Sequence, residues 1–447
     1  MPQAALRELL RIAGIGGEAE IRGADPVLKT PYRVGTAGAA ALAATGIAVA
    51  DLWKLRGGRD QRVAVDLGAA AASLKSTAYL RIDGRPPRAL WDLFSLFYAV
   101  REGRRVRFHT NYPHHRAAAL SVLGAGEDVE AAKKAAAAWD GLALEEAIHG
   151  AGGCAALVRS AEEWAAHPHS AAVAGQPLLE IERIGDAPPM PLPKAGRPLS
   201  GVRVLDLTRV LAGPTAAKTL AEHGAEVLKI TAAHLPDSGE IDIDTGVGKL
   251  SAQLDLREAA GVETLRKLVR EADIFSQSYR PGTLAERGFS PQELAKLRPG
   301  IVYVSLSAWG LTGPWKARRG FDSIVQCVSG MAHVQGGGGK PQLLPCSAID
   351  YVSGYLMAFG AMVALARRAK EGGSWRVRVA LARVGKWIVD RGMVDPSGAV
   401  EPAVETMETQ SPAGVITHLK PVVQMSETPT FWTRPPVPLG YHRAEWP

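Results

Sequence analysis

Val202-Arg-Val-Leu-Asp-Leu207, Ala212-Gly-Pro214 and Ala225-Glu-Val-Leu-Lys-Ile230 follow one another in the second half of the chain. The first and third runs are short and rich in Val, Leu and Ile, the pattern of strands covered on both faces. The middle run turns into a helix, so the three together make a βαβ unit. The alternation continues with a helix around residues 265–271, a strand at 273–276, a helix around 291–297 and a strand at 301–306. Strands that alternate with helices predict an α/β fold with a mostly parallel sheet.

Working outward, Ala187 to Pro198 (APPMPLPKAGRP) holds five prolines among small residues, an extended linker that resists helix. It predicts an N-terminal part over 1–186, a large domain over 199–394 and a proline-rich tail over 395–447 that wraps across another domain. Between Phe108 and Ile184 the sequence is alanine-rich, with a Ser160-Ala-Glu-Glu-Trp164 helix start, and predicts a smaller, more helical domain at about 108–184. An internal echo joins the two halves. Residues 35–66 and 350–380 share one layout: small residues, an apolar helix, basic residues, Gly-Gly, then an alternating strand. At the place of Asp350 the first copy offers only Val34, Gly35 and Thr36.

Composition narrows the classes. With 447 residues, 47% hydrophobic and 22% charged, the chain can bury more than one core. Cys154, Cys327 and Cys346 form no paired spacing, so neither a disulfide framework nor a structural metal site is expected, and a reducing cytoplasm is the expected location. Met1 to Leu10 carries Arg7 and Glu8 and lacks a signal-peptide core, while Thr36 to Ala50 is too short to cross a bilayer and reads as a buried helix. No membrane partner is expected. A net charge of +7 suits an anionic ligand, but the cations are dispersed. The one dense run, Arg101 to Arg107, has no aromatic platforms beside it and reads as a solvated strand edge rather than a nucleic-acid surface.

Several motifs fail. Gly246-Val-Gly248-Lys249 lacks the first glycine and the final hydroxyl of a phosphate loop, and Gly14 to Gly17 opens no βαβ unit. His109, His114 and His115 have no carboxylate or cysteine at ligand spacing and read as surface or packing residues. Asp350 survives. It stands at the entrance of an apolar helix in Pro345-Cys-Ser-Ala-Ile-Asp350-Tyr-Val-Ser-Gly354, where it serves as an N-cap, and where the helix dipole would also favour an ionised, attacking carboxylate. Upstream, Gly336 to Gly339 reads either as a surface loop or as a lid over a reactive intermediate.

Leu199-Ser-Gly-Val-Arg-Val-Leu-Asp-Leu-Thr208, Ala212-Gly-Pro214, Leu220-Ala-Glu-His-Gly-Ala-Glu-Val-Leu-Lys229, Leu254-Asp-Leu256, Arg280-Pro-Gly282, Gly310-Leu-Thr-Gly-Pro314 and Gly320-Phe-Asp322, in that order, resemble the class III CoA-transferases of CaiB/BaiF type. The resemblance runs from Leu199 to about Val379 and implies a Rossmann-like large domain, an interlocked dimer and an acyl-CoA and a carboxylate as substrates, with no tightly bound cofactor. It implies that Asp350, before Ser353-Gly354, is the nucleophile that forms an aspartyl-CoA, and that Lys249, Ser278, Tyr279, Arg318 and Arg319 meet CoA. Departures are Ile230-Thr-Ala-Ala-His234 after the second strand and Ser278-Tyr279 before Arg-Pro-Gly. The halves resemble the family's portions in exchanged order, as in a fused, rearranged pair that could act as a homodimer or as a pseudo-dimeric monomer. Two other readings follow from the same resemblance. An α-methylacyl-CoA racemase needs a histidine where Phe321 stands, with His333 the nearest substitute in sequence, and a noncatalytic CoA-binding protein needs no nucleophile at all.

Overall fold

The computed structural model describes residues 1–88 and 90–447. Its centre is a seven-stranded sheet built from β1 (Glu180–Gly185), β2 (Arg203–Leu207), β3 (Glu226–Thr231), β4 (Lys249–Gln253), β5 (Ile274–Gln277), β6 (Val302–Ser307) and β7 (Ser374–Ala380). The strand order is β4-β3-β2-β5-β6-β7-β1. Strands β2 to β7 are mutually parallel, and β1 closes one edge antiparallel to β7. Because β2 and β5 are neighbours although β3 and β4 lie between them in sequence, the chain reverses its direction of winding there. A crevice opens beyond the carboxyl ends of strands at such a point.

The apolar runs of the strands serve two faces, since successive side chains point to opposite sides. Val204, Val227, Ile274 and Val302 join the larger core, whereas Leu205, Leu228, Phe275 and Tyr303 pack with Leu265, Leu268 and Val269 of helix Ala259–Arg270.

Three helices govern the larger face: α1 (Val34–Leu55), α2 (Ala212–Glu222) and α3 (Ala348–Glu371). Both α1 and α3 are long and apolar enough to cross a membrane, yet they lie buried against each other inside the protein. Close approach requires small residues. A Cβ on Gly354 would stand 2.4 Å from the Ala212 carbonyl oxygen, so only glycine lets α3 meet the start of α2.

One continuous core runs from Ala5 to Met425, and residues 1–186 pack against the rest through it. Strand β1 shows this most directly. The sequence placed residues up to 184 in the small helical domain, but the alternating Glu180-Ile-Glu-Arg-Ile-Gly185 finds unsatisfied backbone at the β7 edge and joins the central sheet. The smaller unit has its own core from Phe94 to Leu157, and its base is a three-stranded antiparallel sheet of Phe97–Ala99, Arg105–Phe108 and Ala155–Leu157, which the helical reading did not include.

The linker is pinned as it passes: the Arg56 guanidinium donates to the carbonyls of Pro193, Pro198 and Ser200. The tail forms a hairpin, Thr406–Ser411 with Gly414–Leu419, against Arg81–Ile82 and then crosses the large domain. The Trp432 indole donates to the Lys218 carbonyl, the His442 amide to Ser251 and the Trp446 indole to Leu268. The basic run is not wholly solvated: Arg107 is buried, with its guanidinium 4.7 Å from the Trp91 ring and 5.1 Å from the Phe97 ring, where cation–π contact replaces water.

Candidate active site

Asp350 is the third residue of α3 rather than its cap. The capping task falls to Asp322 at the start of helix Asp322–Val328, whose Oδ2 accepts the Asp350 N–H at 3.0 Å. Asp322 is itself held by the Gln326 amide, and Gln326 in turn accepts the Leu344 N–H at 2.8 Å. The Asp350 carboxylate is thereby released from local duty. It is 8% exposed and has no hydrogen-bond donor among the described residues.

Burial and the neighbouring Asp322 hold the Asp350 carboxyl well above the usual carboxylate range. The helix entrance does not favour its ionised form as expected, because the Asp350 N–H at that entrance faces Asp322. Burial also raises Asp322, to about 6, while the backbone N–H groups of Asp350 and Ile349 and the Gln326 amide pull it back.

Two cavities meet at Asp350. The first, about 270 Å³, lies at the reversal point of the sheet and is lined by Ser278, Tyr279, Arg318 and Arg319 together with Arg209, Arg280 and Lys316. The second, about 530 Å³, lies toward the N-terminal half and is lined by His109, Asp322, Ser323, Gln326 and the segment Leu343 to Ser347. Asp350, Tyr112, Val210, Leu211 and Phe321 border both. Val210 has φ of 69°, a conformation costly for a β-branched residue, at the turn where β2 ends. A third cavity of about 560 Å³ continues from the first past Tyr279 and Ser307.

The first cavity is strongly cationic. Arg318 pairs with Glu146 and lies over the Trp315 ring at 4.6 Å. Arg209, Arg280, Lys316 and Arg319 have no carboxylate within 4.0 Å among the described residues. Desolvation, then the charge of Arg280, lowers the Arg319 guanidinium. Desolvation pushes His115 down to about 3, with Arg319 among the charges acting in the same direction, so its ring is neutral. Unpaired cations converging in a concave site attract an anion.

Of the residues singled out in the sequence, Asp350, Ser278, Tyr279, Arg318 and Arg319 therefore share one cavity. Lys249 does not. Its side chain is 1% exposed, and its ammonium bonds to Asp206 Oδ2 and the Pro214 carbonyl, each at 2.8 Å. A buried ammonium needs such partners, and Lys249 spends its charge tying β4 to β2 and α2 instead of meeting a ligand. The glycine run also stands aside: Gly336 to Gly339 close a tight turn and line none of the three cavities, where Leu343 to Ser347 supply the wall of the second.

Reading the sequence missed Arg209, Arg280 and Lys316 as site residues, although Arg280 opens the Arg-Pro-Gly motif and Arg209 directly follows a strand end at the reversal point. It also assigned His109 to packing. His109 does pack, stacked on Phe321 at 3.7 Å, but it borders the second cavity and its Nδ1 lies 3.3 Å from Ser323 Oγ. His333 borders no cavity among those described.

Part of the chain is similar to known proteins. Residues 199–418 match the model of CoA-transferase family III. Curated relatives include the acetyl-coenzyme A transferase nodX of Hypoxylon pulicicidum, 35% identical over 200 residues, 43% of this chain and 34% of the relative. The succinyl-CoA–L-malate CoA-transferase alpha subunit of Chloroflexus aurantiacus is 36% identical over 202 residues, covering 41% and 47% of the two chains. The human succinyl-CoA:glutarate CoA-transferase is 33% identical over 192 residues, covering 39% and 43%. A solved structure of the hypothetical protein Rv3272 from Mycobacterium tuberculosis aligns at 32% identity and a TM-score of 0.41, covering 44% of this chain and 59% of that one. The chain spans about half or less of the length of these curated relatives.

Proposed function

We propose that this chain moves CoA between an acyl-CoA and a carboxylic acid, with Asp350 as the nucleophile. The observation that carries the reading is one unpartnered, sheltered carboxylate at the junction of two cavities, one lined by free cations and the other lined by mixed groups. Phosphates of CoA suit the cationic cavity, and Arg209, Arg280, Lys316, Arg318 and Arg319 would hold them with charge-assisted hydrogen bonds. The acyl group suits the second cavity. Anchoring the nucleotide away from the thioester lets binding energy position the reacting carbon.

In this mechanism an Asp350 oxygen bonds to the thioester carbon, the C–S bond breaks, and CoA leaves as a thiolate. The thiolate then attacks the Asp350 carbonyl carbon of the mixed anhydride and expels the donor acid as its carboxylate, leaving an aspartyl-CoA thioester. The acceptor carboxylate displaces the thiolate to make a second anhydride. Attack of the thiolate on the acceptor's acyl carbon yields the new acyl-CoA and restores Asp350. Ionisation of Asp350 is required at the outset, and the excess of cations in the first cavity favours it.

Incubation of the full chain with a panel of acyl-CoAs, followed by mass spectrometry of the peptide containing Asp350, tests the reading. A CoA or acyl adduct on Asp350 is expected, converted to a hydroxamate by hydroxylamine and absent from Asp350→Ala. Turnover retained in Asp350→Ala excludes Asp350 as the nucleophile, and no adduct with any thioester favours a noncatalytic CoA-binding role. A second reading, α-proton exchange on an acyl-CoA, is favoured by His109 on the wall of the acyl cavity. Its signature is deuterium at the α-carbon after incubation in D2O.

The single chain or a pair of chains could form the working unit. Size measurement in solution distinguishes a pseudo-dimeric monomer from a homodimer.

A further inference from the structure

The two cavities that meet at Asp350 differ in charge, and the second has no free cation among the described residues. Lys75 borders it, but its ammonium lies 2.5 Å from Glu401. Three carboxylates other than the Asp322–Asp350 pair also border it. Asp92 is neutralised by Arg116 at 3.1 Å and accepts the Thr110 hydroxyl. Asp237 and Glu240 are not neutralised in this way. Asp237 has no basic group within 4.0 Å, and Glu240 meets only Arg88, at 3.9 Å and 93% exposed, a contact that water screens. Both belong to the segment that precedes or opens helix Glu240–Gly246, where Asp237 Oδ1 accepts only the Gly239 N–H.

A carboxylic acid that reaches Asp350 through this cavity carries its reacting carboxylate toward Asp350 and its far end along the wall. A far-end carboxylate finds no unpaired cation there and is repelled by Asp237 and Glu240. A far-end ammonium finds the partly buried Glu240 as its partner, with the exposed, more screened Asp237 beside it.

We infer that the acyl cavity selects carboxylic acids whose far end is an ammonium group and rejects dicarboxylates. The inference rests on the transferase reading for the identity of the reacting end. It separates this chain from the succinyl-CoA–malate and succinyl-CoA:glutarate enzymes among its relatives, whose names specify dicarboxylates.

The test uses isosteric acids with the intact chain. Calorimetry or saturation-transfer NMR compares 4-aminobutyrate, butyrate and succinate, then 5-aminovalerate, pentanoate and glutarate. The amino acid is expected to bind about tenfold more tightly than the dicarboxylate of matched length, with the neutral acid between, as opposite signs at the far end imply. In Asp237→Asn with Glu240→Gln the ranking should collapse without weakening the dicarboxylate. Tighter binding of succinate or glutarate, no discrimination, no binding of any acid, or a preference unchanged in the double variant overturns the inference.

Lys75→Met adds a separate arm: loss of dicarboxylate binding there shows that Lys75 leaves Glu401 to receive it, which also overturns the inference. The outcome is separable from the transferase reading. An Asp350 adduct without amino-acid preference removes only the inference, and the preference without any adduct removes only the transferase chemistry.

Discussion

The starts of α1 and α3 are built alike and end differently. In each, an upstream aspartate after a Gly-x pair holds the first turn: Asp25, in Gly23-Ala-Asp25, accepts the N–H groups of Gly35 and Thr36 at 3.1 and 2.8 Å, as Asp322, in Gly320-Phe-Asp322, accepts that of Asp350. In each, a strand follows the helix and another helix follows at once, beginning at Leu67 or Leu381. The difference is the connection. Asp322 and Asp350 are 28 positions apart, whereas Asp25 and Thr36 are 11 apart. The extra chain supplies Ser323, Gln326 and Leu343 to Ser347, which wall the second cavity. Without it, Leu67 fills the space: a Cβ on Gly35 would meet Leu67 Cδ2 at 2.5 Å, and Thr36 is 1% exposed. A nucleophile requires both its carboxylate and room beside it, and the first copy has neither.

Writing the first copy's residue into the second should have the largest effect. Asp350→Thr is expected to lower CoA transfer by at least ~10³-fold while the fold survives, because threonine already occupies the equivalent place in α1. Circular dichroism checks the fold and adduct mass spectrometry the chemistry. The reverse exchange, Thr36→Asp, puts a second carboxylate beside Asp25 with no cavity and no cation. It should cost roughly 3 kcal/mol in urea unfolding and add no second adduct. Two adducts per chain would show that the first copy keeps a hidden site.

That contrast also marks what could be read from residue order alone. The parallel sheet was legible because Val202–Leu207, Ala225–Ile230 and Ile301–Leu306 are rich in Val, Leu and Ile and alternate with helical stretches, and the echo was legible because helix, Gly-Gly and strand recur in one order. Asp350, Arg318 and Arg319 were singled out through the resemblance, while the local pattern at Asp350 favoured a helix cap and allowed an attacking carboxylate. Burial decided the failures. Lys249 is a lysine at the start of a strand in any linear reading, and only packing shows its ammonium enclosed between Asp206 and Pro214. The partnership of Asp322 with Asp350 spans a long connection, and His109 reaches the cavity from another unit, so neither pattern nor spacing could announce them.

Asp322→Asn sharpens the comparison through pH. Asparagine keeps an oxygen for the Asp350 N–H but removes the charge that, after desolvation, raises the Asp350 carboxyl. Asp350 then ionises at lower pH, so the acid limb of adduct formation should move to lower pH than in the wild type. Stability gives an independent reading. A carboxyl raised on folding to about 6 contributes stability below its unfolded value near 4 and loses it as pH climbs through 6. The Asn variant lacks that loss, so its advantage in unfolding free energy should grow between pH 4 and pH 7 by about 1–3 kcal/mol. An acid limb that stays in place would mean that Asp322 does not act on Asp350 electrostatically.

The smallest effect belongs to the silent copy. Asp25→Ala leaves the Gly35 and Thr36 N–H groups without their acceptor at a buried helix start. Loss of such a cap costs about 1 kcal/mol, and somewhat more where water cannot replace it. Because α1 packs along α3, the cost should appear in global unfolding, yet adduct formation at Asp350 should keep its rate, since neither Asp25 nor the first turn of α1 lines the two cavities that meet at Asp350. A rate that falls with Asp25→Ala at a temperature where the protein is fully folded would mean that the two helix starts are coupled, and that the first copy still tunes the second.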